Sequence, residues 1–176
     1  VVLEVNVDKV NEKAKEIKLD NDNIIKYDKL ILANGSSNFI PPIKGYDLDG
    51  VYTLRNKKDL DNIKNNLQKS KKVVVIGGLL GLEAAYEIKL ANKDVTVVEA
   101  MPNLLSRQLD KEGSIKLENI LKNKGLNLLV DKCVESIKGE NKVTNVVFKD
   151  GSLLEADMVI FSIGVRSNIQ IVKDTD

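Results

Sequence analysis

The sequence predicts an α/β fold, and three features of residues 73–164 lead to this prediction. Apolar segments of strand length alternate with segments whose apolar residues recur every three or four positions, which is the spacing of a helix. The strand-like segments are rich in β-branched residues and nearly free of polar ones, as is typical of strands covered on both faces. This alternation favours a parallel sheet with right-handed crossovers, and we expect helices on both faces of that sheet.

Before this region the sequence predicts a smaller group of strands. Alternating apolar and polar residues predict strands over residues 1–7 and 13–19. An Asn-Asp-Asn cluster at residues 21–23 predicts a turn that leads into another short strand. The apolar run at residues 28–33 has the length of a strand, and the proline pair at 41–42 ends regular structure.

From residue 57 onward, helices and strands follow in order. Helices are predicted over residues 57–69, 81–90 and 111–124, with Gly125 ending the last one. Buried strands are predicted over residues 73–76, 95–99, 126–130 and 158–163. Three shorter strands at residues 133–138, 142–148 and 152–154 form a small antiparallel β-meander, whose last hairpin turn is Asp150-Gly151.

The composition excludes several classes of function. The chain has 27 Lys+Arg against 26 Asp+Glu, without the concentrated basic face of a nucleic-acid binder. It contains no histidine and one cysteine, which excludes histidine-dependent catalysis and a cysteine metal cluster within these residues. We expect that cysteine, Cys133, to be an ordinary core thiol. No apolar run reaches the roughly 18 residues of a membrane span, and no signal-peptide pattern is present, so we expect a cytoplasmic location.

Two segments of the sequence are similar to each other. Residues 28–35 and 157–164 both read Asp-x-apolar-Ile-apolar-x-x-Gly, and a turn and two strand-like pieces precede each copy. Chance similarity between two apolar strands is the alternative. The repeat predicts that residues 1–35 are the end of a unit whose second copy ends at Gly164. We therefore expect a fragment of a protein with two related nucleotide-binding units.

A glycine-rich turn joins the first buried strand of the second copy to a helix. It consists of Gly77, Gly78, Leu79, Leu80 and Gly81. Glycines allow a tight turn, and they let a pyrophosphate approach the free N–H groups and the positive dipole at a helix N-terminus. We therefore expect these five residues to bind a dinucleotide in a Rossmann-like fold.

An acidic residue, Glu99, ends the second buried strand about 20 residues after the turn. Its carboxylate can accept hydrogen bonds from both ribose hydroxyls of an adenosine, and it would repel a 2′-phosphate. No basic residue directly follows it, so the sequence favours NAD(H) over NADP(H). The alternative is a solvated carboxylate at the end of a strand.

The turn is one residue shorter than the G-x-G-x-x-G form, because it reads G-G-x-x-G. Aligned on Gly81, Ile76 occupies the first glycine position. Aligned on Gly77, the loop lacks one residue, and the preceding strand fits this alignment better. Two explanations for the short turn are a shortened loop and a glycine absent from the determined sequence. Either one changes which N–H groups of the turn can contact a phosphate.

Four motifs follow one another along the chain. Residues 27–36 (YDKLILANGS) look like a strand that ends in Ala-Thr-Gly, with Asn34 in place of the threonine. Residues 40–45 and 51–55 look like a connection between two domains, and residues 156–168 like a return segment, with serine in place of its usual proline. In this order the motifs resemble the FAD-dependent pyridine nucleotide-disulfide oxidoreductase superfamily.

The resemblance implies hydride transfer from NADH to FAD, with one domain for each cofactor. It makes residues 1–55 the end of the first FAD-domain segment with its connection, so that they are a remnant of a second, similar domain. Residues 56–164 become the NAD(H)-binding domain, and residues 165–176 begin the return to the FAD domain. The FAD site would be incomplete in this chain.

The resemblance also implies roles near the nicotinamide and the flavin. Glu83 would start the helix near the nicotinamide, and an acid that complements the helix dipole is an equal alternative. Gly164 would give backbone access near the nicotinamide, while Ala33 and Gly35 belong to the FAD side. Arg55 could reach a cofactor phosphate, although we expect an ordinary surface salt bridge.

Within the superfamily, residues 104–110 are most similar to NAD(P)H-nitrite reductase flavoproteins and rubredoxin reductases. Nitrite through a haem module, rubredoxin, oxygen and a disulfide all remain possible acceptors. The expected partners are the missing FAD-domain segments of the same polypeptide and this unknown acceptor, with no nucleic acid and no membrane. We expect the fragment alone to be inactive. The alternatives are a non-catalytic dinucleotide-binding or redox-sensing module and an interaction domain without a ligand.

Overall fold

The computed structural model describes residues 1–173, which form two compact units. Val1–Ser37 and residues 165–173 form the first unit, and Asn38–Gly164 forms the second. Residues 38–55, which we expected to precede the nucleotide-binding domain, are grouped with the second unit because they supply an edge strand of its sheet. No helix within residues 1–173 is long and apolar enough to cross a membrane.

The strands are β1 (Val7–Asn11), β2 (Glu16–Leu19), β3 (Ile24–Lys26), β4 (Ser36–Asn38), β5 (Val51–Thr53), β6 (Lys72–Ile76), β7 (Asp94–Val98), β8 (Asn127–Leu129), β9 (Val134–Gly139), β10 (Val143–Phe148), β11 (Leu153–Glu155), β12 (Met158–Phe161) and β13 (Val165–Ser167). The helices are α1 (Lys57–Leu67), α2 (Leu79–Leu90) and α3 (Lys111–Asn123), and a 3-10 helix spans Gln170–Val172.

The second unit is built on a five-stranded parallel sheet with the order β5-β12-β6-β7-β8. Successive side chains of a strand point to opposite faces of a sheet. Accordingly, Val73 and Val75 of β6 join one buried apolar cluster, while Val74 and Ile76 join another. The predicted α/β fold with a buried parallel sheet is confirmed.

All three helices lie on one face of this sheet, which differs from the expectation of helices on both faces. Ile63 of α1, Leu82 of α2 and Leu121 of α3 belong to the same buried cluster as Val73 and Val75. From β5 through β6 and β7 to β8, the chain advances across the sheet in one direction. Right-handed crossovers taken in one direction place every helix on the same face.

The opposite face is covered by the predicted antiparallel meander, whose strand order is β11-β10-β9. Its residues Ile137, Val146 and Phe148 pack with Val74 and Val159 in the second buried cluster. The chain returns from β8 to β12 across the sheet in the opposite direction, so a right-handed return passes over the face that the helices leave open.

The first unit contains a three-stranded antiparallel sheet with the order β1-β2-β3. Its first strand spans Val7–Asn11, so the prediction of a strand over residues 1–7 was wrong. The hairpin decides this position, because Val10 pairs with Ile17 around a turn in which Lys15 has a φ of +52°. The turn also delays the second strand, which begins at Glu16 instead of residue 13.

Residues 28–33, which we predicted to form a strand, have no regular secondary structure. Ile31 is 89% exposed and Leu32 is 45% exposed. A strand is held in place by hydrogen bonds to a neighbouring strand. No strand of the described part of the chain pairs with this segment, and that absence explains why the pattern does not become structure here.

Strands β4 and β13 pair with each other where the chain leaves the first unit and where it returns. Beside them, Asn168 donates from its backbone N–H to the Gly35 carbonyl (3.0 Å) and from Nδ2 to the Asn34 carbonyl (2.8 Å). Its Oδ1 accepts from the Ser37 hydroxyl (2.5 Å), and its carbonyl accepts from Asn34 Nδ2. Every polar group of Asn168 is thus used by residues 34–37.

Candidate functional site

Three of the predicted site residues follow the carboxyl ends of neighbouring parallel strands. Gly77 follows β6, Glu99 follows β7, and Gly164 lies shortly after β12. Strand β6 is the middle one of the three, and the Gly77 N–H donates to the Val98 carbonyl at the end of β7 (3.0 Å). In open α/β sheets, ligands bind at this carboxyl edge.

Packing within the protein excludes a side chain at one glycine of the turn and crowds one at another. Gly77 has a φ of +109°, and a Cβ at this position would lie 2.6 Å from the Ser162 carbonyl oxygen. A Cβ at Gly81 would lie 3.2 Å from the Cβ of Ser162 and 3.3 Å from the Val75 side chain. Gly77 therefore makes the tight turn after β6, and Gly81 allows α2 to approach the sheet closely.

The remaining glycine, Gly78, has no comparable neighbour. Its φ is −61° and its ψ is −146°, and an added Cβ would meet no atom within 4 Å. It is the N-cap residue of α2, where Leu82 N–H donates the first helical bond to the Gly78 carbonyl (3.0 Å), and no side chain caps the helix. The N–H groups of the first turn have no intrahelical acceptors, and such groups favour an anion.

The turn is as short in the structure as in the sequence. Ile76 is the last residue of β6 and is paired with both Val98 and Phe161, so it cannot serve as the first glycine position. Gly77 takes that position, and only Gly78 separates it from α2. Helix α2 consequently begins at Leu79, two residues earlier than predicted. Leu79 and Leu80 are 52% and 60% exposed.

Glu99 is a partly buried residue whose backbone and side chain are both held. Its N–H donates to the Leu129 carbonyl of β8 (2.9 Å), and one carboxylate oxygen accepts a hydrogen bond from the Met101 N–H (2.9 Å). Within residues 1–173, the other carboxylate oxygen has no hydrogen-bond partner. That oxygen is free to accept hydrogen bonds from hydroxyl groups of a ligand.

Glu83 and Arg55 lie differently from what we expected. Because α2 begins at Leu79, Glu83 is exposed in the second turn, and the first turn contains no acid. The helix dipole acts mainly within the first turn, so it gives Glu83 little stabilisation. Arg55 is exposed just after β5 and forms none of the ion pairs found among the described residues, so the expected surface salt bridge is not observed.

The other predicted site residues are divided between the two units. Ala33 and Gly35 are exposed residues of the first unit, whereas Gly164 belongs to the second. Gly35 has a φ of +64° and Gly164 a φ of +101°, and a Cβ at either position would meet no atom within 4 Å. Both copies of the repeat thus end in a glycine with a positive φ.

Sequence reasoning missed Ser162, whose backbone and Cβ determine why both Gly77 and Gly81 lack a side chain. A signal was available, since the equivalent position of the first copy is the small residue Ala33. The prediction for Cys133 was wrong, because this cysteine is exposed at the connection between β8 and the meander. No group of side chains suited to a metal ion is found within residues 1–173.

Asp157 and Lys72, at the amino ends of the strands, have shifted pKa values. The N–H groups of Lys72 and Lys71 donate to one oxygen of Asp157 (2.9 and 2.8 Å) and lower the pKa of that carboxyl against the opposing effect of partial burial. The Glu155 carboxylate raises the pKa of Lys72. A hollow of about 200 Å³ beside Lys72 and Asp94 also lies at the amino ends of the strands, so it is separate from the glycine turn.

The parallel sheet, the glycine turn at its carboxyl edge and the neighbouring Glu99 have the arrangement found in dinucleotide-binding α/β proteins. The family of pyridine nucleotide-disulphide oxidoreductases matches residues 1–176. The chain therefore belongs to this FAD-dependent superfamily, and the resemblance deduced from its motifs is confirmed.

Named relatives agree with this assignment. The chain is 43% identical over 161 residues to a nitrite reductase [NAD(P)H] of Bacillus subtilis and 41% identical over 173 residues to an NADH oxidase of Methanocaldococcus jannaschii. These matches cover 91% and 96% of this chain. A ferredoxin reductase from Rhodopseudomonas palustris superposes with a TM-score of 0.91 at 27% identity and covers 98% of the chain.

The chain spans only part of each of these proteins. It covers 20% of the nitrite reductase, 38% of the NADH oxidase and 43% of the ferredoxin reductase. What these relatives do as whole proteins therefore does not transfer to the chain without further argument.

Proposed function

We propose that this chain is the NAD(H)-binding part of an FAD-dependent oxidoreductase that passes hydride from NADH to FAD and on to an acceptor. Gly77, Gly78, Leu79, Leu80 and Gly81 are the proposed pyrophosphate site, and Glu99 is the proposed ribose ligand. The second unit would hold the dinucleotide, and Ala33 and Gly35 would lie on the flavin side.

The observation that carries this proposal is the open position of Gly78. Contacts with Ser162 exclude a side chain at Gly77 and crowd one at Gly81, so packing within the protein already favours glycine at both positions. Gly78 has a φ of −61° and free space around its Cα, so no neighbouring side chain or backbone atom excludes a side chain there. This open space, in front of an uncapped helix N-terminus, lets a ligand approach the backbone closely.

In this arrangement each group of the site has a physical role. The N–H groups of the first turn of α2 would donate to pyrophosphate oxygens, and the exposed Leu79 and Leu80 side chains would shield them from water. The free carboxylate oxygen of Glu99 would accept from ribose hydroxyls, and its charge would oppose a 2′-phosphate. The nicotinamide and flavin carry the hydride chemistry, and the chain supplies binding and orientation. We assign no general acid or base.

The flavin side of the proposal rests on the first unit. Residues 28–33 have the sequence of a buried strand, but they lie exposed, with Ile31 at 89%. We propose that further FAD-domain segments of the same polypeptide pair with this segment and complete the flavin site. The acceptor would be that of a nitrite reductase-like or rubredoxin reductase-like enzyme, in keeping with the nitrite reductase [NAD(P)H] relative.

Titration with NADH tests the dinucleotide site. We expect saturable binding to the chain, and we expect Gly78→Ala to weaken it about tenfold because the new methyl group occupies the space of the pyrophosphate. The variant should fold with a somewhat lower melting temperature, because alanine is a poorer N-cap than glycine, so both affinities are measured well below both melting temperatures. Gly113→Ala in α3 is the control for a glycine outside the site: its methyl group would crowd the capping Asp110 carboxylate (3.1 Å) and lower stability, but NADH affinity should stay unchanged.

Absence of saturable NADH binding at millimolar concentration would contradict the proposal. Equal affinity of the parent chain and Gly78→Ala would remove the argument drawn from the open glycine. A non-catalytic dinucleotide sensor is the second candidate, favoured by the shortened turn. The polypeptide that contains all FAD segments distinguishes the two, because a sensor would bind NADH without reducing the flavin.

The chain alone should not turn over, because most of the proposed FAD site would lie outside it. We expect no NADH oxidation above background when FAD is added to the purified chain, measured by the loss of NADH absorbance. The intact polypeptide is the positive control. Steady oxidation of NADH by the chain alone would contradict this assignment of the FAD site.

A further inference from the structure

We propose that Asp131 is a positioning residue for Glu99, and that its left-handed backbone aims the Glu99 carboxylate at the ribose of NAD(H). This inference rests on the proposed function, because it concerns how the same site holds its ligand. Asp131 would touch no ligand itself. It lies in the short connection between β8 and β9, next to the carboxyl edge of the sheet.

Backbone hydrogen bonds join this connection to the segment that bears Glu99. The Asp131 N–H donates to the Met101 carbonyl (3.0 Å), and the Lys132 N–H donates to the Glu99 carbonyl (3.1 Å). The Glu99 N–H donates to Leu129 at the end of β8 (2.9 Å). Residues 99–101 are therefore held at both ends: Glu99 bonds to Leu129 and Lys132, and Met101 bonds to Asp131.

The order of these bonds shows where the chain reverses. Glu99 N–H bonds to the Leu129 carbonyl, so a regular parallel ladder would next direct the Asp131 N–H to the Glu99 carbonyl. Instead Lys132 occupies that acceptor, and Asp131 reaches further, to Met101. A reversal between two successive N–H groups requires an unusual backbone conformation at Asp131, and its φ is +55°.

Residues 99–101 in turn hold the Glu99 side chain. The Met101 N–H donates to one carboxylate oxygen of Glu99 (2.9 Å), while the Met101 carbonyl accepts from Asp131. The hydrogen bond from Asp131 therefore fixes Met101, and Met101 in turn fixes the Glu99 carboxylate. With one oxygen bound to Met101, the second oxygen is presented in one orientation, which reduces the entropy lost when a ribose binds.

The backbone of Asp131, and not its charge, is the feature that matters. Asp131 is exposed, and its carboxylate makes no hydrogen bond or ion pair with Glu99 or Met101. The Lys132 side chain is engaged elsewhere, with the Asp150 carboxylate and with the Ser152 hydroxyl (3.1 Å). Asp and Asn adopt positive φ more readily than other non-glycine residues, whereas a β-branched residue strongly resists it.

Substitution of Asp131 in the full chain tests the proposal, with NADH and reduced nicotinamide mononucleotide as the probes. Asp131→Val should weaken NADH binding about five- to tenfold, because valine resists the left-handed conformation. It should leave the affinity for the mononucleotide unchanged, since that probe lacks the adenosine ribose. Asp131→Asn and Asp131→Gly tolerate positive φ, so they should keep NADH affinity within about twofold of the parent.

A matched control separates positioning from general strain. Asp22 also has a positive φ, +65°, but it lies in the first unit. Asp22→Val should therefore destabilise its turn without changing NADH affinity. In a Glu99→Gln background, which weakens the ribose contact, Asp131→Val should have a clearly smaller effect than in the parent, because the two residues act through one group.

The outcomes distinguish this inference from the proposed function. If the parent binds NADH and Asp131→Val binds it equally well, the positioning role is refuted and the NAD(H) site stands. Equal loss of both probes in Asp131→Val also refutes it, since that marks general damage. If Asp131→Val does not fold, Asp131→Ala provides the milder strain, with an expected loss of about threefold. Failure of the parent to bind NADH would overturn both proposals.

Discussion

The two copies of the repeat have the same sequence pattern and different structures. In the second copy, β12 lies between β5 and β6, and its residues Val159 and Ile160 are fully buried. In the first copy, the equivalent residues Leu30 and Ile31 lie outside any strand, and Ile31 is 89% exposed. An apolar run of strand length therefore predicts the capacity to form a strand, and neighbouring strands decide whether it forms.

The largest expected difference between the copies concerns their matching isoleucines. Ile160→Ala should lower the free energy of unfolding of the second unit by about 2–5 kcal/mol, because it leaves a cavity in a buried cluster. Ile31→Ala should change it by no more than about 0.5 kcal/mol, because the side chain is exposed. Urea unfolding of both variants measures the two effects. Similar losses in the two variants would show that the first copy is also packed.

A smaller difference is expected at the matching aspartates. The Asp157 carboxylate accepts from the N–H groups of Lys71 and Lys72, whereas Asp28 is exposed and has no hydrogen bond within residues 1–173. Asp157→Asn should therefore cost about 1 kcal/mol near neutral pH. Asp28→Asn, the matched control, should cost less than about 0.5 kcal/mol.

The effect at Asp157 should depend on pH in a defined direction. The pKa of Asp157 is lowered in the folded protein, chiefly by the Lys72 N–H. Its stabilising contribution is therefore complete above the unfolded pKa of about 4, and it is lost as the pH falls through the lower folded pKa. The stability difference between the parent and Asp157→Asn should shrink over this acidic range in urea titrations. A difference that is constant down to pH 2 would contradict the role of the charge.

The smallest expected change in stability is at Asn168. This residue follows the second copy of the repeat and forms hydrogen bonds with residues at the end of the first copy. Asn168→Ala removes the side-chain bonds to Ser37 and to the Asn34 carbonyl. These bonds are exposed, so we expect a loss of about 0.5 kcal/mol, seen as faster amide exchange within Val165–Ser167. Asn66→Ala, which removes an exposed bond within α1, is the control and should leave this exchange unchanged.

Much of the second unit could be predicted from the sequence because its signals are local. The apolar strands before Gly77 and before Glu99 lie within a residue or two of their predicted positions, since their composition leaves few alternatives. Gly125, with a φ of +82°, ends α3 as its position predicted. The carboxyl edge that brings Gly77 and Glu99 close together also follows from parallel order alone.

Other features depended on contacts that no local pattern contains. Only the position of Ser162 shows that a side chain is excluded at Gly77 by packing, whereas none of its atoms lies near Gly78. The reversal at Asp131 depends on which carbonyls of residues 99–101 lie opposite it, and no sequence pattern around Asp131 indicates that. Cys133 was expected in the core and is exposed. The tendency of cysteine to be buried does not reveal which residues of a connection face solvent.

The sequence by itself determined the class of protein, the parallel sheet and the location of the glycine turn. These depend on hydrophobic periodicity and on glycine and acid spacing, which are properties of short segments. Only the tertiary structure decided that all helices share one face, that residues 28–33 form no strand, and that Gly78 is the glycine left open to a ligand. Each of these depends on the direction of a crossover or on neighbours distant in the chain, and such long-range partners leave no trace in the segment itself.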